Sequence, residues 1–321
     1  MQYPDRTNMA HKIALIASSL LVFVACFSIR ERYFPARAQR DSPIFADAKI
    51  GTVPYRRIVS MAPSITETLY VLGLSDRLVG VTRYCTYPPA VQKLPKVGGF
   101  FDPNFEAMVA LKPELVILLE EHEQSLPGFQ KLGLNTTIVC HKYIDGIIDS
   151  LRTIARVCGV EAQGRRVADD IQSRLDRVRK KTAHSKRPRV MIAIDRIQGS
   201  GGLVDVYIAG NDGYFDKMIE LAGGENAYHR TLVRFPVVST EGIMRINPDV
   251  IVDMVSGVDT EHFQPEQTLA DWRSLTNVEA VKQHRIYAFN RDYAIVPGPR
   301  FIRFVEDLAR LLHPEIDWNG T

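Results

Sequence analysis

The sequence predicts an α/β protein of two lobes, each with a central, mainly parallel sheet flanked by helices, joined by a single long α-helix. Three observations carry this reading. Short β-branched runs alternate with helical patterns in both halves, one uninterrupted charged helical pattern separates the halves, and a stretch of the first half recurs in the second. The 321 residues, 45% hydrophobic and 24% charged, suffice for two hydrophobic cores of ordinary size. They divide into an N-terminal signal or anchor segment with its tether (1–40), a first α/β lobe (41–160), a linker helix (161–187) and a second α/β lobe (188–321).

The N-terminal segment sets the compartment. Residues 13–29 are uncharged and lie between Lys12 and Arg30, a run long for a signal-peptide core and short for a spanning helix. Three fates are open: lipidation of Cys26, which follows Phe23-Val24-Ala25; cleavage at Ala36-Arg37-Ala38; and retention as an anchor. Each puts the body in a periplasmic or extracytoplasmic space, and the first and third tether it to the cytoplasmic membrane. Charge agrees with this division. The chain carries 40 Lys+Arg and 37 Asp+Glu, net +3, of which residues 1–40 hold six basic and two acidic residues. The body is left with 34 basic and 35 acidic residues, so it has no excess with which to neutralise phosphates, and a nucleic-acid partner is excluded.

In the first lobe strands are expected at 57–62, 77–82, 114–119 and 136–141. The first helix follows the breaker Pro63, with Ser64 as N-cap and Glu67 completing a capping box. The linker helix is read over 161–184, where Val167, Ile171, Leu175 and Val178 form one narrow apolar stripe on an otherwise charged surface. At 1.5 Å per residue it spans about 36 Å. Such a strut permits only small lobe movements. The second lobe has strands at 189–195, 249–254 and 285–290.

Residues 104–119 align without gaps on 239–254, matching Glu106 with Glu241 and Pro113 with Pro248. Asn104 and Ser239 are the expected N-caps, which places each Glu in a first helical turn. One such Glu needs no explanation beyond the helix dipole. A matched pair on two lobes makes a two-point dock for paired Arg on another protein.

No catalytic constellation emerges. Phosphate-loop, nucleophile-elbow and H-E-x-x-H patterns are missing, so no enzymatic activity is expected. Cys85, Cys140 and Cys158 lack C-x-x-C spacing, which speaks against a zinc or redox site and leaves one disulfide open. Glu120-Glu121-His122-Glu123 follows a strand and reads as a solvated acidic loop rather than a metal site. Tyr84, Phe100 and Phe101 fall in Gly/Pro-rich loops of the first half, and Tyr207, Phe235 and Tyr293 in comparable places in the second. Rings at strand ends suit a flat or bulky ligand.

The stretch RIVSMAPSITETLYVLGLSDRLVGVTRYCTYPPAVQKLPKVGGFFDPNFEAMVALKPELVI (57–117), with ELAGGENAY (220–228), FPVVSTEGIMRINPDVIV (235–252) and VPGPR (296–300), resembles the cobalamin and iron-siderophore family of periplasmic substrate-binding proteins of ABC transporters. The resemblance covers roughly residues 55–315 and implies the class III, helical-backbone fold, a ligand held between the lobes, and delivery by a monomer to an ABC permease dimer. It implies that Glu106 and Glu241 dock on the permease. The cobalamin-binding branch is the nearest likeness, and in it Tyr84, Phe100, Tyr207, Phe235 and Asp292 match ligand contacts, with Phe101 and Tyr293 beside them. Phe100 and Phe235 stand where that branch has Trp, and Val296 where it has Arg. Ferric siderophore and haem therefore stay open beside cobalamin. No resident cofactor is expected, since the ligand is itself the metal complex. Readings of another class are a membrane-anchored tetrapyrrole metal chelatase and a ligand sensor.

Overall fold

A computed structural model describes residues 54–197, 202–203, 205–229, 233–254 and 265–319. The N-terminal segment, with Cys26 and the tether, lies outside the described residues. Elements run in the order β1 (Ile58–Ser60), α1 (Pro63–Val71), β2 (Leu78–Val81), α2 (Phe105–Ala110), β3 (Leu115–Leu119), α3 (Leu126–Lys131), β4 (Thr136–Val139), α4 (Ile144–Val157) and α5 (Glu161–Thr182). Then follow β5 (Arg189–Asp195), β6 (Val206–Ile208), α6 (Tyr214–Leu221), β7 (Glu225–Asn226), β8 (Val237–Val238), α7 (Thr240–Ile246), β9 (Val250–Met254), α8 (Pro265–Ala270), α9 (Glu279–Lys282), β10 (Ile286–Phe289), α10 (Asp292–Ile295) and α11 (Phe301–Leu312). Among the described residues no helix is long and apolar enough to cross a membrane.

The chain forms two compact units. One comprises residues 54–185, 217–223 and 293–319, built on a four-stranded sheet in the order β2-β1-β3-β4. All its strands are parallel. The central β3 is buried along its whole length, as a parallel strand covered on both faces must be. Val59, Met61, Val116 and Leu118 pack with Met108 of α2 and Phe129 of α3.

Helix α5 belongs to this unit and packs on α4 and α11. Its buried side is Gly164, Ala168, Ile171, Leu175, Val178 and Thr182, a seam at spacings of 4, 3, 4, 3 and 4. Ala168 thus takes the place in the seam that the sequence assigned to Val167, which is half-buried. The bare Gly164 lets α4 and α5 approach closely, since a Cβ there would overlap that of Ala155 on α4. Arg174 of α5 forks onto Glu306 of α11, with Nε donating to Oε1 at 2.9 Å and Nη2 to Oε2 at 2.6 Å. Gly164→Leu is expected to cost about 1–3 kcal/mol by overpacking this contact. Thermal unfolding checks it, and an unchanged midpoint would mean that α4 and α5 part freely.

The second unit comprises residues 186–216 and 224–292 and holds a six-stranded mixed sheet, β10-β9-β5-β6-β8, with β7 also on β5. Strands β7, β9 and β10 run parallel to β5, whereas β6 and β8 form an antiparallel extension. Beyond β5 a buried ion network closes the unit. Arg196 donates to Asp253 Oδ2 at 2.8 Å, to Asp271 Oδ2 at 2.7 Å and to the Thr268 carbonyl at 2.8 Å, while Trp272 Nε1 donates to Asp253 at 2.7 Å. Desolvation raises the Asp253 carboxyl above its ordinary range, against the pull of Arg196.

The internal repeat is visible in both units. Asn104 Oδ1 accepts the Ala107 N–H at 3.0 Å, and Ser239 Oγ accepts the Gly242 N–H at 3.2 Å, so both caps form. Both helices then end on a left-handed residue at the same alignment position, Lys112 (φ 47°) and Asn247 (φ 45°), ahead of the matched prolines. Strands β3 and β9 follow, each five residues long and wholly buried.

Candidate functional site

In the first sheet every strand runs the same way, so the segments after β1, β2 and β3 leave from one edge, the edge at which open α/β sheets bind ligands. The segment after β2 carries Tyr84, Phe100 and Phe101. Phe100 is buried, its ring 4.7 Å from that of Phe101 in an edge-to-face arrangement and 4.4 Å from the His122 imidazole. Phe101 projects outward at 41% exposure. Tyr84 is half-buried with the Arg83 guanidinium 5.6 Å from its ring centre.

The turn at 98–103 holds these rings in place. Arg83 N–H donates to the Gly98 carbonyl at 2.9 Å, Gly99 N–H to the Asp102 carbonyl at 3.1 Å, and the Arg83 side chain pairs with the Asp102 carboxylate. Gly98 sits at φ 98°, and a Cβ there would strike the Asp102 carbonyl and the Asn104 N–H, so only glycine fits. The turn runs directly into Asn104, the cap of α2, and so into exposed Glu106.

His122 departs from the reading of a solvated loop. It is 2% exposed, Leu119 N–H donates to its Nδ1 at 3.0 Å, and burial pushes its pKa down to about 4. Glu120 of the same loop pairs instead with Lys142 at 3.1 Å. Among the described residues no group of three or more His, Cys, Asp or Glu could hold a metal ion. Cys85, Cys140 and Cys158 are free thiols, so the disulfide left open by the sequence does not link them.

Sequence reasoning missed one pair in this unit. Glu67 does not complete a capping box, because α1 begins at Pro63 with Ala62 as N-cap and no side-chain cap bond. Glu67 is buried instead and receives Arg300, whose Nε donates to Oε2 at 2.9 Å and Nη2 to Oε1 at 2.5 Å. The guanidinium also stacks on Tyr87, 3.6 Å from the ring centre. A charged residue flanked by Ile65, Thr66, Thr68 and Leu69 in an apolar helix was the available signal, but its partner is 233 positions away. Tyr293 lies with this unit, and its hydroxyl donates to Asp307 at 2.5 Å.

In the second unit Tyr207, expected in a loop, is half-buried in β6 opposite Val237 of β8. Phe235 precedes β8, half-buried, its ring 6.5 Å from Phe215 in an edge-to-face arrangement. Phe215 in turn stacks on Tyr214 at 4.3 Å. Asp292 opens α10 and is exposed. Glu241 is exposed in the first turn of α7, where its own backbone N–H and the Ser239 side chain hold its carboxyl below the ordinary range. Each unit thus carries an aromatic cluster and, on a separate short helix, an exposed carboxylate.

Residues 58–293 match the family described as periplasmic binding protein. The uncharacterized ABC transporter substrate-binding lipoprotein YvrC of Bacillus subtilis is 28% identical over 268 residues, which is 81% of each chain. The crystal structure of the periplasmic vitamin B12 binding protein BtuF of Vibrio cholerae superposes with a TM-score of 0.68 at 26% identity, covering 82% of this chain and 98% of that one. The periplasmic heme-binding protein RhuT of Roseiflexus sp. RS-1, in apo form, gives 0.67 at 26% identity, covering 81% and 98%.

Proposed function

The chain belongs to the periplasmic binding protein family, and from that membership we propose that it captures a corrinoid of the cobalamin type and hands it to a permease. At the coarser level it is the extracytoplasmic substrate-binding component of an ABC transporter, a non-enzymatic part of that system. The observation that carries the ligand reading is the pairing of aromatic clusters, one per unit: Phe100 with Phe101 and His122, and Phe235 with Phe215. Rings of this kind stack on a broad, largely apolar macrocycle. Tyr84, Phe100, Phe101, Tyr207 and Phe235 are the proposed contacts, with Asp292 and Tyr293 beside them, and Glu106 and Glu241 dock on the permease. Haem is the second reading, favoured by the equal likeness to the heme-binding RhuT. Attachment through Cys26 or a retained segment 13–29 keeps the protein at the membrane, a reading supported by the likeness to the lipoprotein YvrC.

Absorbance titration of the purified protein against cobalamin, haem and a ferric siderophore tests this reading. Saturable binding of cobalamin alone is expected. Binding of haem in its place would establish the second reading. Tyr84→Ala and Phe235→Ala should each weaken binding, with about 0.5–1.5 kcal/mol lost per ring beyond its buried area. Unchanged affinity in both variants would make the rings structural.

A further inference from the structure

We infer that each docking carboxylate has an apolar companion, Val109 beside Glu106 and Met244 beside Glu241, and that the ABC permease meets each pair with an arginine flanked by an apolar pocket. This rests on the docking role proposed for the two Glu residues. Among the described residues Val109 and Met244 are two of the large apolar side chains left exposed, at 44% and 39%. They occupy the same position of the repeat, and each lies three residues after its Glu, on the same side of the helix.

The core does not require them. Within α2 the inward residue is Met108, and within α7 it is Ile243, again at matched positions and both fully buried. Leu111 and Ile246, also matched, pack partly buried against the cores of their own units. With those two positions filled, the side chains at 109 and 244 lie outside both core clusters and keep 44% and 39% of their surface in water. An exposed ion pair alone contributes little and is screened by salt. An apolar side chain that seats next to it excludes water and strengthens the pair. The partner's chemistry follows from charge complementarity and from the repetition: a cation next to an apolar recess, presented twice, which suits a permease dimer.

Photo-crosslinking of the full-length chain in its own host tests this, with p-benzoylphenylalanine placed singly at 109 or 244, or at their matched exposed neighbours 110 and 245. Adducts from 109 and 244 are expected on a membrane-spanning ABC permease subunit, in peptides that contain an arginine. Those adducts should be lost when Glu106→Gln and Glu241→Gln are added. Permease adducts from 110 and 245 with none from 109 and 244, or adducts from 109 and 244 on any other protein, would overturn the apolar companions while leaving the docking role intact. Absence of permease adducts from all four positions would overturn the docking role itself.

Discussion

Glu67→Gln is expected to destabilise the protein by about 3–5 kcal/mol, the cost of leaving one member of a buried ion pair without its partner. The thermal midpoint should fall on the order of 10 °C. The side chains of Glu67 and Arg300 are only 2% and 7% exposed, so water cannot replace the lost carboxylate. The neutral amide keeps the shape but removes the carboxylate charge that faces the guanidinium. Space for rearrangement is small, because a Cβ at Gly298 would already lie 3.0 Å from Glu67 Oε2. The double variant Glu67→Gln/Arg300→Met should recover much of the loss, since removing both charges avoids the orphan. The coupling from such a cycle separates the pair from simple packing. Arg300 also carries Tyr87, three residues from Tyr84, so the single variant should weaken ligand binding as well. A midpoint within a degree of the parent in Glu67→Gln would refute the argument.

That pair also marks the limit of what the sequence makes legible. Features decided within a few residues are readable: the caps Asn104 and Ser239, the prolines before β3 and β9, and the seven β-branched runs, each of which contains a strand. Their signals are short-range hydrogen bonds and periodic burial. Strands β6, β7 and β8 have two or three residues each and carry no readable period, so the antiparallel extension that holds Tyr207 went unseen. Of the four stripe positions of α5 only Val167 is misplaced, Ala168 standing there instead, because Ala and Gly count as weakly apolar in sequence, although the smallness of Gly164 is what lets α4 approach. In the site, Phe100 and Phe101 were legible from the glycines around them. The inward turn of His122 was not, since three acidic neighbours suggest solvent and only tertiary packing against Phe100 decides otherwise.

His122 and His141 should make the protein lose stability as the pH falls below about 6.5, well above the range in which carboxylates normally drive acid unfolding. Burial pushes His122 down to about 4 and His141 to about 3, so both are neutral in the folded state at pH 5. The unfolded chain, with ordinary values near 6.5, binds a proton at each site as the pH falls. The folded chain does not, so each histidine removes about 1.4 kcal/mol of stability per pH unit below 6.5. The loss continues to about pH 4 for His122 and about pH 3 for His141. At pH 5 the two together cost about 4 kcal/mol relative to neutral pH. Other shifted groups act lower or with the opposite sign. Glu306, held down by Arg174, loses its contribution only as the pH falls below the ordinary carboxylate value. Asp195 and Asp253 are raised, so they take up protons in the folded state first and favour it as the pH falls. Between about pH 6.5 and 5 the histidines are thus the shifted groups that lose stability, and the raised aspartates act only to offset them. Urea unfolding at pH 7.5 and 5.0 measures the difference, and His122→Gln/His141→Gln should abolish most of it whatever the variant's absolute stability. An equal difference in parent and variant would assign the acid sensitivity elsewhere. Because His122 lies against Phe100 and charges in the folded state only near pH 4, ligand affinity should hold between pH 6.5 and 5 while stability declines.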